Sequence, residues 1–248
     1  MTDDRISRID TLWTLVRQAH GQVTLDARSA QQQLLDRYGG AAKRYLLAAL
    51  RNEHAADEVF QEFALRFVRG DFHRAAPERG RFRSFLKTVL YHLVCDHQKG
   101  RKRSPAQLGA LEAFEPVSPS EANALDEQFT KSWRDDLLAR TWVALEEEQR
   151  QSGKPHHTVL RFRSQHPDLR SPELAEQLSE RLQKPISAAN VRVLLHRSRE
   201  RFADLLLEEI GQSLDNPTID DLEQEVADLR LMDYCRPAID RRRENSEF

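Results

Sequence analysis

The sequence predicts an all-α protein: two small helical domains joined by a flexible linker, the second a helix-turn-helix. Three observations lead there. Apolar residues recur at helical spacing along most of the 248 residues, and no convincing alternating strand interrupts them. The stretch SPAQLGALEAFEPVSPSEANA, from Ser104 to Ala124, sets three prolines among scattered polar residues and reads as a linker. Further on, two helical stretches stand close together with little more than QKP between them. The length suits one large domain or two small ones, and 39% hydrophobic against 31% charged residues implies modest cores under a strongly charged surface.

Taken in order, RISRIDTLWTLVRQAH places Ile6, Ile9, Leu12, Trp13 and Val16 on one stripe that ends at Gly21. DARSAQQQLLDRY then leads to Gly39-Gly40, where a break or tight bend is expected before AAKRYLLAAL. AADEVFQEFALRFVRG is helical, with Val59, Phe60, Phe63 and Phe67 apolar. GDFHRAAPERGR, which holds Pro77 and two glycines, reads as a loop. From Phe82 to about Gln98 an amphipathic helix follows, with Phe82, Phe85, Leu86, Val89 and Leu93 expected in a core.

After the linker, helices resume at about Leu125 and run to Arg150. The loop QSGKPHH precedes a helix over TVLRFRSQH. SPELAEQLSERL and SAANVRVLLHRSRERFADLLLEEI come next, with Ser171 and Ser187 as expected N-caps and Pro172 in a first turn that suits it. The predicted organisation is therefore a helical domain over 1–103, a linker over 104–124, a second domain over 125–210, and an acidic, partly helical extension over 211–248.

Net charge is only −2, but its distribution is uneven. From Glu78 to Arg103 there are eight Lys or Arg against two acids, whereas from Glu208 to Glu225 there are seven acids and no Lys or Arg. Local patches of this kind are what a charged partner feels. Cys95 and Cys235 are too far apart in sequence to suggest a disulfide framework, and Cys95 with His97 falls short of a metal site. No cofactor is expected, and no phosphate loop, nucleophile elbow or HExxH motif suggests an enzyme. The polar opening MTDDRISRID is not a signal peptide, and no run approaches the roughly 18 to 20 apolar residues that a membrane span needs. A cytoplasmic protein without membrane contact is expected.

Two segments suggest nucleic-acid chemistry. On the helix after Ser187, Val191, Leu194, Leu195, Phe202 and Leu205 should face a core, which turns Asn190, Arg192, Val193, His196, Arg197 and Arg199 outward. Such a face suits phosphates and base edges in a major groove; an ordinary helical hairpin with a basic surface has the same pattern. Earlier, Asp71, Phe72, His73 and Arg74 lead into a basic helix with Tyr91 and His92 and end in Lys99, Arg101, Lys102 and Arg103. Mixed aromatic and cationic groups suit unpaired nucleic acid, while a solvated, cation-rich helix end suits the helix dipole equally well. Asp57, Glu58 and Glu62 by themselves read as a solvated face.

The order of these parts narrows the choice. AADEVFQEFALRFVRG, then PERGRFRSFLKTVLYHLVCDHQKGRKR, then the linker and the paired C-terminal helices together resemble a bacterial RNA polymerase sigma factor of the extracytoplasmic-function type, over about residues 8 to 210. The resemblance implies that the first domain binds core RNA polymerase and opens promoter DNA, and that the second reads a distal promoter element in duplex form. Asp57, Glu58, Gln61 and Glu62 match the polymerase-docking helix. Phe72, His73, Arg74, Arg81 and Arg83 fall in the base-capturing loop region, and Lys87, Tyr91, His92, His97, Arg101 and Arg103 on the promoter-contacting helix that follows. Asn190, Arg192, His196, Arg197 and Arg199 match the recognition helix. An anti-sigma factor or other regulator is a further partner that the resemblance allows. A one-component helix-turn-helix regulator binding duplex DNA as a dimer, and an all-helical adaptor, are the rival readings.

The extension has two readings of its own. Its acids solubilise a disordered end, or Leu222, Val226, Leu229 and Met232 form the apolar face of a short helix. The second reading is expected, with that helix packed on the second domain and its acids mildly opposing DNA.

Overall fold

The computed structural model describes residues 25–69, 82–102, 119–214 and 217–246. Among them are nine helices and no strand, so the protein is all-α as predicted. The expected helix over 6–20, the loop over 70–81 and most of the linker, residues 103–118, lie outside the described residues. The chain divides into two units, residues 1–136 with 211–217 and residues 137–210 with 218–248.

The first unit contains α1 (Leu25–Leu50), α2 (Glu53–Arg69), α3 (Phe82–Lys102) and the opening turns of α4 (Pro119–Ser152). In α1, Tyr38, Ala41, Ala42, Tyr45 and Leu46 follow the spacing of one helix face, and all are buried. They share a core with Ala55, Ala56, Val59, Phe63 and Phe67 of α2 and with Phe82, Leu86, Leu90, Leu93 and Val94 of α3. The start of α4 adds Phe129 and Trp133. Tyr38 stacks on Trp133 with ring centroids 4.7 Å apart, and Tyr45 meets Phe129 edge-on at 5.5 Å. Offset and edge-to-face pairs of this kind fix ring orientation beyond simple burial. Burial pushes the Tyr45 hydroxyl up to about 12, with Asp126 adding to the effect.

The break expected at Gly39-Gly40 does not occur, because α1 continues through both residues. A glycine inside a helix costs roughly 0.5–1 kcal/mol relative to alanine, so another term must favour it. A Cβ at Gly39 would lie 3.2 Å from Cζ of Phe60 on α2. Glycine here permits close approach of two helices. The actual reversal comes at Arg51, which is left-handed at φ 50, and Asn52 then caps α2 by accepting the Ala55 amide at 2.9 Å. Phe85 and Val89, expected in the core, are half-buried, while Leu90 and Val94 take fully buried positions.

Helix α4 begins at Pro119, earlier than the expected start near Leu125, and ends at Ser152, followed by Gly153 in the left-handed conformation, φ 70. The second unit continues with α5 (His156–Gln165), α6 (Ser171–Leu182), α7 (Ala188–Gly211), α8 (Ile219–Asp228) and α9 (Met232–Ser246). Val159 and Phe162 of α5, Leu174, Ala175 and Leu178 of α6, and Val191 and Leu195 of α7 form one buried cluster. Gln149, in the last turns of α4, caps α5 through the Thr158 amide and hydroxyl at 2.9 and 2.7 Å.

The cap of α6 differs from expectation. Ser171 is its first residue, and the Glu173 carboxylate reaches back to accept the Arg170 amide at 2.8 Å. Ser187 does cap α7, accepting the Asn190 amide at 3.2 Å. Beyond it, the C-terminal extension is two helices, the first of them capped. Thr218 and Asp221 exchange backbone and side-chain hydrogen bonds at the start of α8. Arg230 turns the chain in the left-handed region at φ 57. Leu222, Val226 and Leu229 are buried, as their spacing predicts, and Leu231, Cys235, Ala238 and Ile239 are buried with them. Met232 is half-buried and starts α9 instead of completing α8. Burial pushes the Cys235 thiol up to about 12.

Candidate functional site

Helix α2 turns its aromatic residues inward and its carboxylates outward. Gln61 is exposed beside them. Asp57 lies 3.1 Å from Lys43 of α1, Glu58 lies 3.3 Å from His54, and Glu62 lies 2.6 Å from Arg66. The three carboxylate side chains keep 52%, 54% and 46% of their surface, so each pair remains open to water. Exposed pairs of this kind are worth about 0–1 kcal/mol and yield readily to a partner that offers better-placed charge. Lys43 also rests over the Phe60 ring, 4.9 Å from its centroid.

Helix α3 holds its polar groups more tightly. Lys87 is 2.8 Å from Asp126, and Arg83 reaches Thr130 at 3.5 Å, both on α4. Tyr91 and His92 are exposed neighbours with ring centroids 6.0 Å apart. A side-chain hydrogen bond with Cys95 holds the Tyr91 hydroxyl above its ordinary range. His97 is half-buried, and its Nε2 is shielded from solvent without a hydrogen-bond partner among the described residues. Arg101 belongs to the last turn of α3. Phe72, His73, Arg74, Arg81 and Arg103 lie outside the described residues.

In the second unit, the connector between α6 and α7 is built by its own polar groups. Gln183 is left-handed at φ 51, and the Lys184 amide returns to the Ser179 carbonyl at 3.1 Å. The Ser179 hydroxyl then accepts the Ile186 amide at 2.9 Å, tying the connector to α6. With Val191, Leu195 and Ser198 buried on α7, Asn190, Arg192, Val193, His196, Arg197 and Arg199 are all exposed. Arg192, Arg197 and Arg199 have no carboxylate within ion-pair distance among the described residues, whereas His196 faces Glu200 at 3.6 Å. A cleft of about 480 Å³ lies against this helix, lined in part by Lys184, Pro185, Ile186, Asn190, Val193 and Arg197.

Several residues of this region escaped sequence reasoning. Ser179 gives no local signal, because its partner is seven residues away. Arg201 ends between Glu148 of α4 at 2.6 Å and Glu208 at 3.5 Å, so it braces α7 instead of extending the exposed cationic set. His156 shares a 3.1 Å hydrogen bond with Ser198, and burial pushes its imidazole below the ordinary range. The run Arg241-Arg242-Arg243 also lies within reach of acids on other helices of this unit: Arg241 is 3.0 Å from both Glu200 and Asp204. Among the described residues, no group of three His, Cys, Asp or Glu side chains could hold a metal, and no helix is long and apolar enough to cross a membrane.

Residues 34–104 match the family model for sigma-70 region 2. The match spans most of α1, all of α2 and α3, and the acids and cations they carry. The match covers less than a third of the chain. No curated protein and no solved structure matches the chain.

Proposed function

We propose that this protein is a sigma factor of the extracytoplasmic-function type, a cytoplasmic, non-catalytic subunit that directs core RNA polymerase to specific promoters. The observation that carries the proposal is the agreement between the family match and the chemistry of its surface. Over residues 34–104, exposed carboxylates of α2 are followed in the same matched segment by exposed aromatic and basic groups of α3. Asp57, Glu58, Gln61 and Glu62 dock on the polymerase, where weak intramolecular pairs exchange for intermolecular ones. Tyr91, His92 and the cations of α3, with Phe72, His73, Arg74, Arg81 and Arg83 ahead of them, meet the melted strand. Stacking and phosphate attraction together suit an unpaired strand.

The second domain adds duplex reading. Helices α6 and α7 with their tied connector form a helix-turn-helix, and α7 enters the major groove with Asn190, Arg192, His196, Arg197 and Arg199 outward. Residues 1–103 and 125–210 carry the two activities, with 104–124, whose last residues open α4, as linker and 211–248 as an added extension. An anti-sigma factor or other regulator would control access to either surface.

Reconstitution tests the proposal. The full chain mixed with core polymerase should co-elute with it and start transcription at a subset of genomic promoters. A folded chain that neither binds core polymerase nor changes its promoter choice would refute it.

A further inference from the structure

The C-terminal extension contacts α7 with charge opposite to the one its composition suggests. Two of its acids are paired with its own cations: Arg243 lies 2.8 Å from both Asp220 and Glu223, and Arg236 lies 4.0 Å from Glu223. Two of its arginines reach acids of α7. Arg241 spans Glu200 and Asp204 at 3.0 Å each, and Arg242 donates to the Asp204 carbonyl at 3.2 Å and lies 4.0 Å from Glu208. Glu200 stands one turn beyond His196 and faces it at 3.6 Å, on the same helix that exposes Arg192, Arg197 and Arg199. Left alone, Glu200 and Asp204 would oppose the approach of a phosphate backbone to this helix.

We infer that the extension promotes duplex binding by α7, with Arg241 as the positioning residue that neutralises Glu200 and Asp204 beside the DNA-facing surface. The inference rests on the reading of α7 as the duplex-contacting helix, and it replaces the expected inhibition by the tail's acids. The arrangement suits the task because α8 and α9 are anchored by buried apolar side chains. Thr218 and Asp221 cap α8, and Leu222, Val226, Leu229, Cys235 and Ile239 are buried, so Arg241 is delivered from an ordered helix. Pre-ordering lowers the side-chain entropy lost in holding two carboxylates with one guanidinium.

The test uses the full-length chain and double-stranded DNA selected from a random-sequence library by the unmodified protein. Arg241→Gln should weaken binding about two- to fivefold at low salt, the range an exposed ion-pair contribution of up to ~1 kcal/mol allows. The deficit should shrink as salt rises. Adding Glu200→Gln and Asp204→Asn to Arg241→Gln should restore affinity, because the uncompensated carboxylates are then gone. Unchanged or tighter binding by Arg241→Gln overturns the inference. So does a loss that the two amide substitutions fail to rescue, which would mark Arg241 as a structural brace only. If Arg192→Ala with Arg197→Ala also binds like the unmodified protein, the reading of α7 itself has failed, and this inference falls with it.

Discussion

Helices α3 and α7 both present cations, yet they hold them under different constraints. On α3, Lys87 is engaged by Asp126 at 2.8 Å and Arg83 reaches the Thr130 hydroxyl at 3.5 Å, so the first is charge-compensated and both are oriented by the chain itself. On α7, Arg192, Arg197 and Arg199 are exposed without a carboxylate partner among the described residues, while the helix's acids are held by Arg140, Arg201, Arg241 and Arg242. A free guanidinium acts at a distance and gives salt-dependent attraction to a duplex. A pre-paired ammonium gains little at long range and acts after a partner has arrived to replace its carboxylate. The difference fits a division of labour in which α7 finds double-stranded DNA and α3 engages a strand already brought close.

The sharpest way to break this contrast is to remove the uncompensated charges. Changing Arg192 and Arg197 together to Ala should give the largest effect, since each bidentate base contact carries roughly 1–3 kcal/mol of discrimination. Binding of the free protein to selected duplex should collapse while association with core polymerase persists; gel-shift and co-elution measurements read the two separately. Equal duplex affinity before and after would remove α7 from recognition.

Charge reversal on α2 comes next. Asp57, Glu58 and Glu62 changed to Lys would place like charges against a basic polymerase surface, and holoenzyme formation should weaken. Their side chains are about half exposed, so the circular dichroism spectrum should remain helical. A folded triple variant with normal polymerase affinity would sink the docking assignment.

A smaller effect sharpens the α3 side. Asp126→Asn releases Lys87, and the exposed pair it breaks is worth at most about 1 kcal/mol. Promoter opening, followed by permanganate reactivity of unpaired thymines, should rise modestly, and duplex affinity of the free protein should stay level. A change confined to duplex affinity would contradict the proposed roles.

The least effect is one of pH. Burial lowers the His156 pKa, so the folded state takes up the proton less readily than the unfolded chain. The folded value being the lower one, its stability contribution is present above the ordinary histidine value of about 6.5 and is lost as pH falls below it. Thermal unfolding of the second unit should decline slightly from neutral pH toward pH 5, and His156→Gln should flatten that decline. An unchanged slope would show that His156 is not the titrating group.

How much of this was legible in the sequence depends on the range of the interaction. The outward face of α7 followed from the spacing of Val191, Leu194, Leu195, Phe202 and Leu205, because helical geometry sets what lies opposite an apolar stripe. The acids of α2 were visible for the same reason. Gly39 was misread because its role depends on Phe60, a residue on another helix, and a glycine that breaks a helix looks identical in sequence to one that admits a neighbour. Ser171 was misassigned as a cap because serine suits that position, whereas here Glu173 closes the turn from inside the helix. Arg241 carried no local signal, since Glu200 and Asp204 lie some forty residues upstream. Phe72, His73, Arg74, Arg81 and Arg103 remain proposals on sequence grounds.

The approach at Gly39 reaches further than packing. Phe60, whose ring edge lies 3.2 Å from where a Cβ would sit, also carries Lys43 over its face at 4.9 Å, and Lys43 in turn holds Asp57 at 3.1 Å. A methyl group introduced at residue 39 would press the Phe60 ring by a few tenths of an ångström, and any shift of the ring is felt by Lys43 above it and so by Asp57. The hydrogen atom of a glycine thus acts as a gauge block for an acidic contact on the outer surface. Where α2 docks as proposed, substitutions at this uncharged interior site would register as altered grip on the polymerase.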